Sequence, residues 1–297
     1  MSSLLHHLLD GYNILFNEPL CGHTSFKIGG PTDALALPES REELFRLLNV
    51  LKNEKVPYMI MGNGSNLLFS DCGYRGVVIK IGSNMAKVNI SNSSIYAEGG
   101  ALLTAVSAEA MKAHLTGLEF ASGIPGTIGG AVCMNAGAYD YEIKDFFESA
   151  EVLIDDGTIK SYSHNEMNFG YRISRLMTEN TILLSATLNL KPGEYKAIKA
   201  KTDELTTIRR AKQPLDLPSA GSTFKRPPGH FAGKLIMDSG LRGYTIGGAQ
   251  VSEKHCGFIV NKGGASCEDV LKLIEYIQNK VNNDFNVMLI PEIRIIS

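Results

Sequence analysis

The sequence predicts an α+β protein of 297 residues that folds as more than one domain. Its longest glycine-rich stretch, at 121–139, lacks a helix that follows a strand in the manner of a parallel dinucleotide-binding sheet. Its 30 glycines are concentrated in loops without a fixed period, which excludes a repeat array. A long polar helix at 194–212 precedes a C-terminal unit of ordinary domain size. We therefore expect one domain at 1–192, with lobes at roughly 1–80 and 81–192, and a second domain at 193–297.

Residue periodicity places the elements of the first predicted domain. Ser40 and Glu43 fit a capping box that opens a helix with leucines at helical spacing. Asp156 and Gly157 fit the tight turn of a hairpin over 149–163. The remaining predicted elements are a helix at 101–114 and strands, the first of them buried, at 56–62, 76–81, 93–100 and 181–190.

The C-terminal unit is predicted to contain a short helix at 231–240, a strand at 257–261 and a capped helix that begins near Ser266. A final strand over 287–296 would place Glu292 and Arg294 on one face, and Ile293 and Ile295 on the other. A carboxylate in so apolar a strand needs a partner or a function. Structural ion pairing and catalysis therefore both remain open for Glu292.

Charge and cysteine usage exclude several classes of protein. The 29 Lys and Arg residues nearly balance the 31 Asp and Glu residues, so nothing favours nucleic acid as a partner. The five cysteines form no C-x-x-C pair and no histidine cluster has metal-ligand spacing, so we expect neither disulfides nor a metal site. The sequence shows no signal peptide and no apolar run of membrane-spanning length, so we expect a cytoplasmic protein.

Two glycine-rich stretches are the strongest candidates for ligand binding. The first, GNGSNLL at 62–68, follows a predicted strand and could form an anion nest, although a tight loop without a ligand explains it as simply. The second, at 121–139, suits a diphosphate with a nucleoside at either end, or else a domain interface. Neither has the spacing of a Rossmann or P-loop motif. A dinucleotide held by a pair of non-Rossmann loops therefore fits best.

Isolated polar residues add weaker candidates. Arg172 could bind a carboxylate or phosphate, but an exposed arginine with a buried stem is the commoner case. Arg209 and Lys212 end the polar helix, where favourable interaction with the helix dipole and anion binding are both open. His255 alone is more often a surface histidine than a catalytic one. Ser222, between Gly221 and the Lys225–Pro228 stretch, lies in a predicted loop.

Seven stretches in the same order resemble the UDP-N-acetylenolpyruvoylglucosamine reductases, flavoproteins of peptidoglycan precursor synthesis. They are GNGSNLL (62–68), SGIPGTIGGAVCMNAGAY (122–139), GYRISR (170–175), KQP (212–214), AGSTFKRP (220–227), GGAQVSEKHCGFIVN (247–261) and PEIRII (291–296). The resemblance implies a two-lobed FAD-binding domain of the vanillyl-alcohol-oxidase type and a C-terminal α+β domain for the UDP-sugar. It also implies non-covalent FAD, NADPH as hydride donor and reduction of an enolpyruvyl ether to UDP-N-acetylmuramate. An FAD-dependent oxidase with the same cofactor domain and a non-catalytic nucleotide-sugar binding module are the alternatives.

The resemblance also implies the site residues. Ser222 would be the proton donor, and Arg172 and Glu292 would flank the substrate carboxylate. Lys212, Arg226 and His255 would contact the diphosphate and carboxylate of the nucleotide sugar. The residues expected to bind FAD are Gly62, Asn63, Gly64, Ser65, Asn66, Leu67, Ser122, Gly123, Ile124, Pro125, Gly126, Gly129, Gly130, Tyr171, Arg209 and Arg294.

Three features depart from the longest family members. Arg226 stands where they carry Asn, and Asp140 stands where Gly is usual, which puts the conformation of that turn in question. No room exists after Arg172 for the inserted loop whose tyrosine covers the substrate, so the chain resembles the shorter subtype. We expect a monomer that acts on a small nucleotide sugar, with neither nucleic acid nor membrane as a partner.

Overall fold

A computed structural model describes residues 2–179 and 181–297. Its helices are α1 (Ser2–Leu8), α2 (Arg41–Asn53), α3 (Leu103–Lys112), α4 (Ile128–Cys133), α5 (Tyr195–Lys212), α6 (Ala232–Asp238) and α7 (Cys267–Phe285). Within the described ranges, no helix has both the length and the apolar character needed to cross a membrane.

Most of the strands are short, and loops make up much of the chain. They are β1 (Ile14–Pro19), β2 (Pro31–Ala36), β3 (Tyr58–Met61), β4 (Leu67–Phe69), β5 (Tyr74–Lys80), β6 (Val88–Ser91), β7 (Ser94–Glu98), β8 (Leu115–Thr116), β9 (Gly137–Ala138), β10 (Tyr141–Glu142), β11 (Phe147–Leu153), β12 (Ile159–Ser163), β13 (Ile182–Asn189), β14 (Lys191–Pro192), β15 (Thr245–Ile246), β16 (Ala249–Val251), β17 (Ile259–Asn261) and β18 (Arg294–Ile296).

The chain divides into two compact units. The first comprises the residues up to Leu15 together with Leu35–Asn63 and Val77–Arg209. The second comprises Phe16–Ala34, Gly64–Gly76 and Arg210–Ser297. This division differs from the predicted one at 192–193, because nearly all of α5 lies in the first unit and two earlier segments lie in the second. The domain limits expected from the sequence stay a prediction.

An antiparallel sheet with the strand order β12–β11–β13–β7–β6 organises the first unit. Helix α4 packs against β13 and β7, and the apolar faces of α3 and the sheet contribute to one buried cluster. Strand β3 pairs with β5 in parallel, with Tyr58 opposite Val77. Strand β3 is half-buried except at Met61, so the prediction of a buried strand was correct only at Met61.

The second unit is built on the long amphipathic helix α7. Its buried residues recur at helical spacing, and they include the predicted set Val270, Leu273, Ile274, Ile277 and Val281. This face packs on the sheet β15–β16–β17 and on α6. Strand β18 pairs in parallel with β4, with Arg294 opposite Leu67.

The last strand is shorter than predicted. Only Arg294–Ile296 is a strand, because Pro291 lacks an N–H and because the segment before it makes isolated bridges instead. Ile293 is 5% exposed, but Ile295 is 42% exposed. The face predicted to lie opposite Glu292 and Arg294 is therefore buried at Ile293 and exposed at Ile295.

Helix starts follow the predicted capping chemistry in part. At α2, the Ser40 side chain accepts a hydrogen bond from the Glu43 N–H, but the Glu43 carboxylate accepts from the Glu39 N–H rather than from Ser40. At α7, Ser266 and Asp269 form the complete reciprocal capping box. Asp269 also accepts a hydrogen bond of 3.1 Å from the Gly248 N–H, and these N–H donors hold the pKa of Asp269 below its usual value.

We expect Asp269→Asn to flatten the acid dependence of stability. An aspartate with a lowered folded-state pKa stabilises the fold fully above its ordinary value of 3.8 and loses that contribution as the pH falls through the folded-state pKa. The wild type should therefore lose more unfolding free energy than Asp269→Asn between about pH 5 and about pH 3, measured by urea unfolding. Parallel acid profiles for the two proteins would contradict this.

Candidate functional site

The two glycine-rich stretches meet in the first unit. A methyl group on Gly62 would lie 2.3 Å from Thr127 Oγ1, so only glycine permits this approach. The Asn63 side-chain amide donates a hydrogen bond of 2.9 Å to the carbonyl of Pro125. The predicted pairing of the loops is therefore present, and part of the glycine requirement comes from contact between the loops themselves.

The second stretch is shaped by the start of α4. Thr127 is buried, and its hydroxyl accepts a hydrogen bond of 3.3 Å from the N–H of Gly130. Gly129 donates 2.8 Å to the carbonyl of Gly99. The predicted cofactor residues brought together along this turn and the first turn of α4 are Ser122, Gly123, Ile124, Pro125, Gly126, Gly129 and Gly130.

Arg209 lies against the second stretch, also within the first unit. A methyl group on Gly123 would lie 2.6 Å from Arg209 Cδ, so the arginine stem runs along the backbone of this loop. Arg209 Nε is buried and has no hydrogen-bond partner among the described residues. Burial lowers the pKa of Arg209, because desolvation disfavours its charged form. An anionic or carbonyl ligand at the loop would satisfy this donor, so the residues fit the phosphate or flavin end of FAD.

The remainder of the first stretch, from Gly64, belongs to the second unit. There the Asn66 side-chain amide donates 3.2 Å to the carbonyl of Glu292, and the Asn66 carbonyl accepts 2.9 Å from the N–H of Arg294. Strand β4 starts directly afterwards at Leu67. Asn66 thus connects a predicted cofactor loop to the segment that carries Glu292.

Thr223 joins the segments that carry Ser222 and Glu292. It is 2% exposed, its N–H donates 2.8 Å to the Gly257 carbonyl, and its carbonyl accepts 2.8 Å from the Glu292 N–H. Its hydroxyl accepts 3.0 Å from the N–H of Ile259. Ser222 and Glu292 are both half-buried. Ser222 precedes Thr223 in sequence, and Glu292 follows Pro291, which forms an isolated β-bridge with Phe224. The predicted loop around Ser222 is therefore tied down on both sides.

The predicted substrate contacts of the second unit differ in how firmly they are held. His255 Nδ1 accepts 3.1 Å from the Gly257 N–H, so in the neutral ring the proton is on Nε2. Burial lowers the pKa of His255, which favours this neutral form. The Arg226 guanidinium lies 4.0 Å from the centroid of the Phe231 ring. Lys212 is exposed at the end of α5.

Arg172 lies in a tight turn of the first unit with φ of 55°. Its guanidinium donates 2.9 Å to the Gly137 carbonyl and 3.4 Å to that of Asn135, and it lies 3.8 Å from the Glu142 carboxylate. The neighbouring Tyr171 is 47% exposed, and its ring centroid is 5.1 Å from the Arg172 guanidinium carbon. The exposed-arginine interpretation is wrong here, because the guanidinium is held by several acceptors.

The turn with Asp140 in place of Gly keeps a regular conformation. Tyr139 and Asp140 have φ of 54° and 66°, and they connect β9 to β10 in a two-residue hairpin. Positive φ at both positions is the pattern of a type I′ turn. Asp tolerates the left-handed region better than most non-glycine residues, so the substitution is accommodated.

Three residues that position the site were not singled out in the sequence. They are Thr127, Asn135 and Thr223, and each is nearly or fully buried. Each is a polar residue inside a loop rich in small residues, but only the structure shows that it is buried and so needs hydrogen-bond partners. A separate polar cavity of about 500 Å³ opens near the start of α2, lined by residues such as Arg41, Lys87 and Glu98, and none of the predicted site residues lines it.

Two family profiles match the chain. An FAD-binding domain matches residues 32–163, and the C-terminal domain of UDP-N-acetylenolpyruvoylglucosamine reductase matches residues 213–296. The α+β class, with an FAD-binding domain followed by the C-terminal domain of this family, is confirmed.

Several known proteins are similar to this chain over nearly its full length. The UDP-N-acetylenolpyruvoylglucosamine reductase of Caldanaerobacter subterraneus subsp. tengcongensis is 54% identical over 98% of this chain and 96% of its own. A protein of the same name from Clostridium botulinum is 52% identical over 94% of this chain and 92% of its own. The crystal structure of UDP-N-acetylenolpyruvylglucosamine reductase (MurB) from Thermus caldophilus is 35% identical, with a TM-score of 0.82 over 96% of this chain and 99% of that one. The chain therefore belongs to the UDP-N-acetylenolpyruvoylglucosamine reductase family.

Proposed function

We propose that this protein reduces the enolpyruvyl ether of UDP-N-acetylglucosamine enolpyruvate to UDP-N-acetylmuramate. The observation that carries the proposal is 54% identity over 98% of the chain to a reductase of that name. The FAD-binding domain and the fit of Arg209 to an anionic cofactor support FAD as the redox group. The substrate would be a small nucleotide sugar. Because NADPH and UDP-sugars are cytoplasmic compounds, we expect the protein in the cytoplasm. We also expect it to act as a monomer.

When bound, FAD would supply the chemistry of hydride transfer from NADPH to the methylene carbon of the enolpyruvyl group. The residues proposed to hold FAD are those of the two glycine-rich stretches together with Tyr171, Arg209 and Arg294. At Gly62 and Gly123 the absence of a side chain lets Thr127 and Arg209 pack directly against the two loops, and backbone N–H groups of such glycine-rich loops can bind phosphates. The desolvated Arg209 cation would gain an anionic partner, which offsets the cost of its burial.

Hydride addition at the methylene carbon places negative charge on the neighbouring carbon and its carboxylate. The neighbouring carbon then needs a proton, for which Ser222 is the proposed donor. Arg172 would stabilise the developing charge, as an oriented cation does in an oxyanion site. Glu292 would flank the same carboxylate, with its own charge offset by Arg172 or neutralised by a proton.

The geometry of the second unit supports a precisely placed Ser222. The two neighbouring segments hold the Ser222 loop through Thr223, whose hydrogen bonds of 2.8 Å to Gly257 and 2.8 Å from Glu292 restrict its backbone. A proton donor must be fixed within hydrogen-bond reach of its target to contribute. A serine hydroxyl is a weak acid, so a neighbour must relay the proton or stabilise the resulting alkoxide.

The remaining basic residues of the second unit suit a nucleotide diphosphate. Lys212 and Arg226 would supply positive charge, and contact with the Phe231 ring restricts the orientation of the planar Arg226 guanidinium. His255 would contribute as a neutral donor through Nε2. Each of these three residues is proposed separately as a contact of the nucleotide sugar.

The first experiment tests the overall reaction. Purified protein should be yellow, and its flavin absorbance should be bleached by NADPH without oxygen and restored by the enolpyruvyl substrate. Protein that takes up no FAD would refute the proposal. Rapid recovery with oxygen and none with the substrate would indicate the oxidase instead.

We expect Ser222→Ala to separate the two half-reactions. Bleaching by NADPH should stay within about twofold of wild type, while recovery with substrate should slow by about 10²- to 10⁴-fold, the range for loss of a general acid. The matched control is Ser219→Ala, three residues earlier in the same loop. Equal slowing of both half-reactions in Ser222→Ala would show that Ser222 has only a structural role.

Glu292→Gln should show the same asymmetry, because the amide keeps the size of the side chain and removes its charge and proton. We expect recovery with substrate to slow by about tenfold or more and NADPH bleaching to persist. Glu275→Gln, on the exposed face of α7, is the control. Recovery of Glu292→Gln at the wild-type rate would remove Glu292 from the mechanism.

A further inference from the structure

The backbone of Arg172 is held in an unfavourable conformation. Its φ of 55° lies in the left-handed region, which is unfavourable for a residue other than glycine. The turn is closed by two hydrogen bonds, of 3.0 Å from the Gly170 N–H to the Ile173 carbonyl and of 3.3 Å in the reverse direction. Such strain persists only where the surrounding contacts enforce it, so neighbouring groups must fix this turn.

One side chain contacts both the start of this turn and an acid beside the Arg172 guanidinium. Asn135 is completely buried, and its amide nitrogen donates 2.8 Å to the Gly170 carbonyl and 3.0 Å to the Glu142 carboxylate. Its amide oxygen accepts 3.0 Å from the Lys144 N–H. Two acceptors and one donor surround it, so the orientation of the amide is unambiguous and both of its N–H bonds are used.

The main chain of Asn135 contacts the same guanidinium. Its carbonyl accepts a hydrogen bond of 3.4 Å from Arg172 Nη1, while the Gly137 carbonyl accepts one of 2.9 Å from Nη2. The Glu142 carboxylate lies 3.8 Å from Nη1. Asn135 therefore affects Arg172 in three ways. Its side chain binds the turn that carries Arg172, its carbonyl accepts from the guanidinium, and its amide orients the neighbouring Glu142.

We propose that Asn135 is a positioning residue for Arg172, fixing the guanidinium where it stabilises the charge that develops on the substrate carboxylate. This inference rests on the role proposed above for Arg172. Asn135 is inaccessible, so it acts through Arg172 and not on the substrate. Asp at this position would bring a second carboxylate against Glu142, and Ala would leave the Gly170 carbonyl and the Lys144 N–H without this partner.

The test compares Asn135→Ala, Arg172→Ala and the double variant in the FAD-loaded enzyme. We expect Asn135→Ala to leave NADPH bleaching within about twofold and to slow recovery with substrate by about 10- to 100-fold, as misplacement of a catalytic group does. In the Arg172→Ala background, adding Asn135→Ala should change recovery by less than about twofold, because the group that Asn135 positions is absent.

Ser174→Ala is the matched control. Ser174 is 1% exposed and donates 2.7 Å to the Cys133 carbonyl, so it joins the same two segments. None of its hydrogen bonds goes to Arg172 or Glu142 in the described contacts. We expect it to lower stability about as much as Asn135→Ala and to leave recovery within about threefold of wild type.

A second readout does not depend on turnover. In the double-variant cycle for equilibrium unfolding by urea, the effects of Asn135→Ala and Arg172→Ala should be non-additive by about fivefold in the unfolding constant, and those of Ser174→Ala and Arg172→Ala should add. Additive effects of Asn135→Ala and Arg172→Ala on both recovery and unfolding would overturn the inference. Slowing of recovery by Ser174→Ala as large as that by Asn135→Ala would also overturn it. Recovery of Arg172→Ala at the wild-type rate would instead refute the role of Arg172 itself, and the inference with it.

Discussion

The hydrogen bonds of the buried Thr223 determine where the second unit presents its proposed reactive side chains. Thr223 accepts from Glu292 and Ile259 and donates to Gly257, so two other segments of the chain, at 257–259 and at Glu292, are fixed against it. Each bond contributes only about 1 kcal/mol to stability, yet leaving a buried partner unpaired costs more. The arrangement therefore resists distortion of the backbone on either side of Ser222, and Asn66 extends the same constraint through Glu292 to a predicted cofactor loop.

In the first unit, a strained backbone conformation positions the proposed reactive side chain, Arg172. Arg172 takes a backbone conformation in which glycine is preferred, and an asparagine network keeps it there. Glycine would suit that turn better but would supply no guanidinium. Local sequence preference thus conflicts with the need for a cation, as is common at functional sites. Nearby Asp140 shows the opposite case, since an aspartate replaces glycine in a hairpin that requires only a positive φ.

Patterns carried by single elements were predictable, and those set by distant contacts were not. The apolar face of α7 and its cap at Ser266 follow from residue spacing alone. The shortened last strand does not, because its pairing with Leu67–Phe69 joins parts of the chain more than 220 residues apart. Motifs in order identified the family, and they named Ser222, Arg172 and Glu292 as candidates. The supporting residues Thr223 and Asn135 escaped notice, since nothing in one sequence distinguishes a buried polar side chain from an exposed one.

The central claim is that Ser222 delivers the proton. Its most direct test is the position of the Ser222 hydroxyl in a crystal structure with FAD and the enolpyruvyl substrate bound. The account predicts that Ser222 Oγ lies about 3–3.5 Å from the carbon that bears the carboxylate, with Glu292 at the carboxylate itself. A structure in which another proton-bearing side chain occupies that position, with Ser222 Oγ directed away from the substrate, would contradict it.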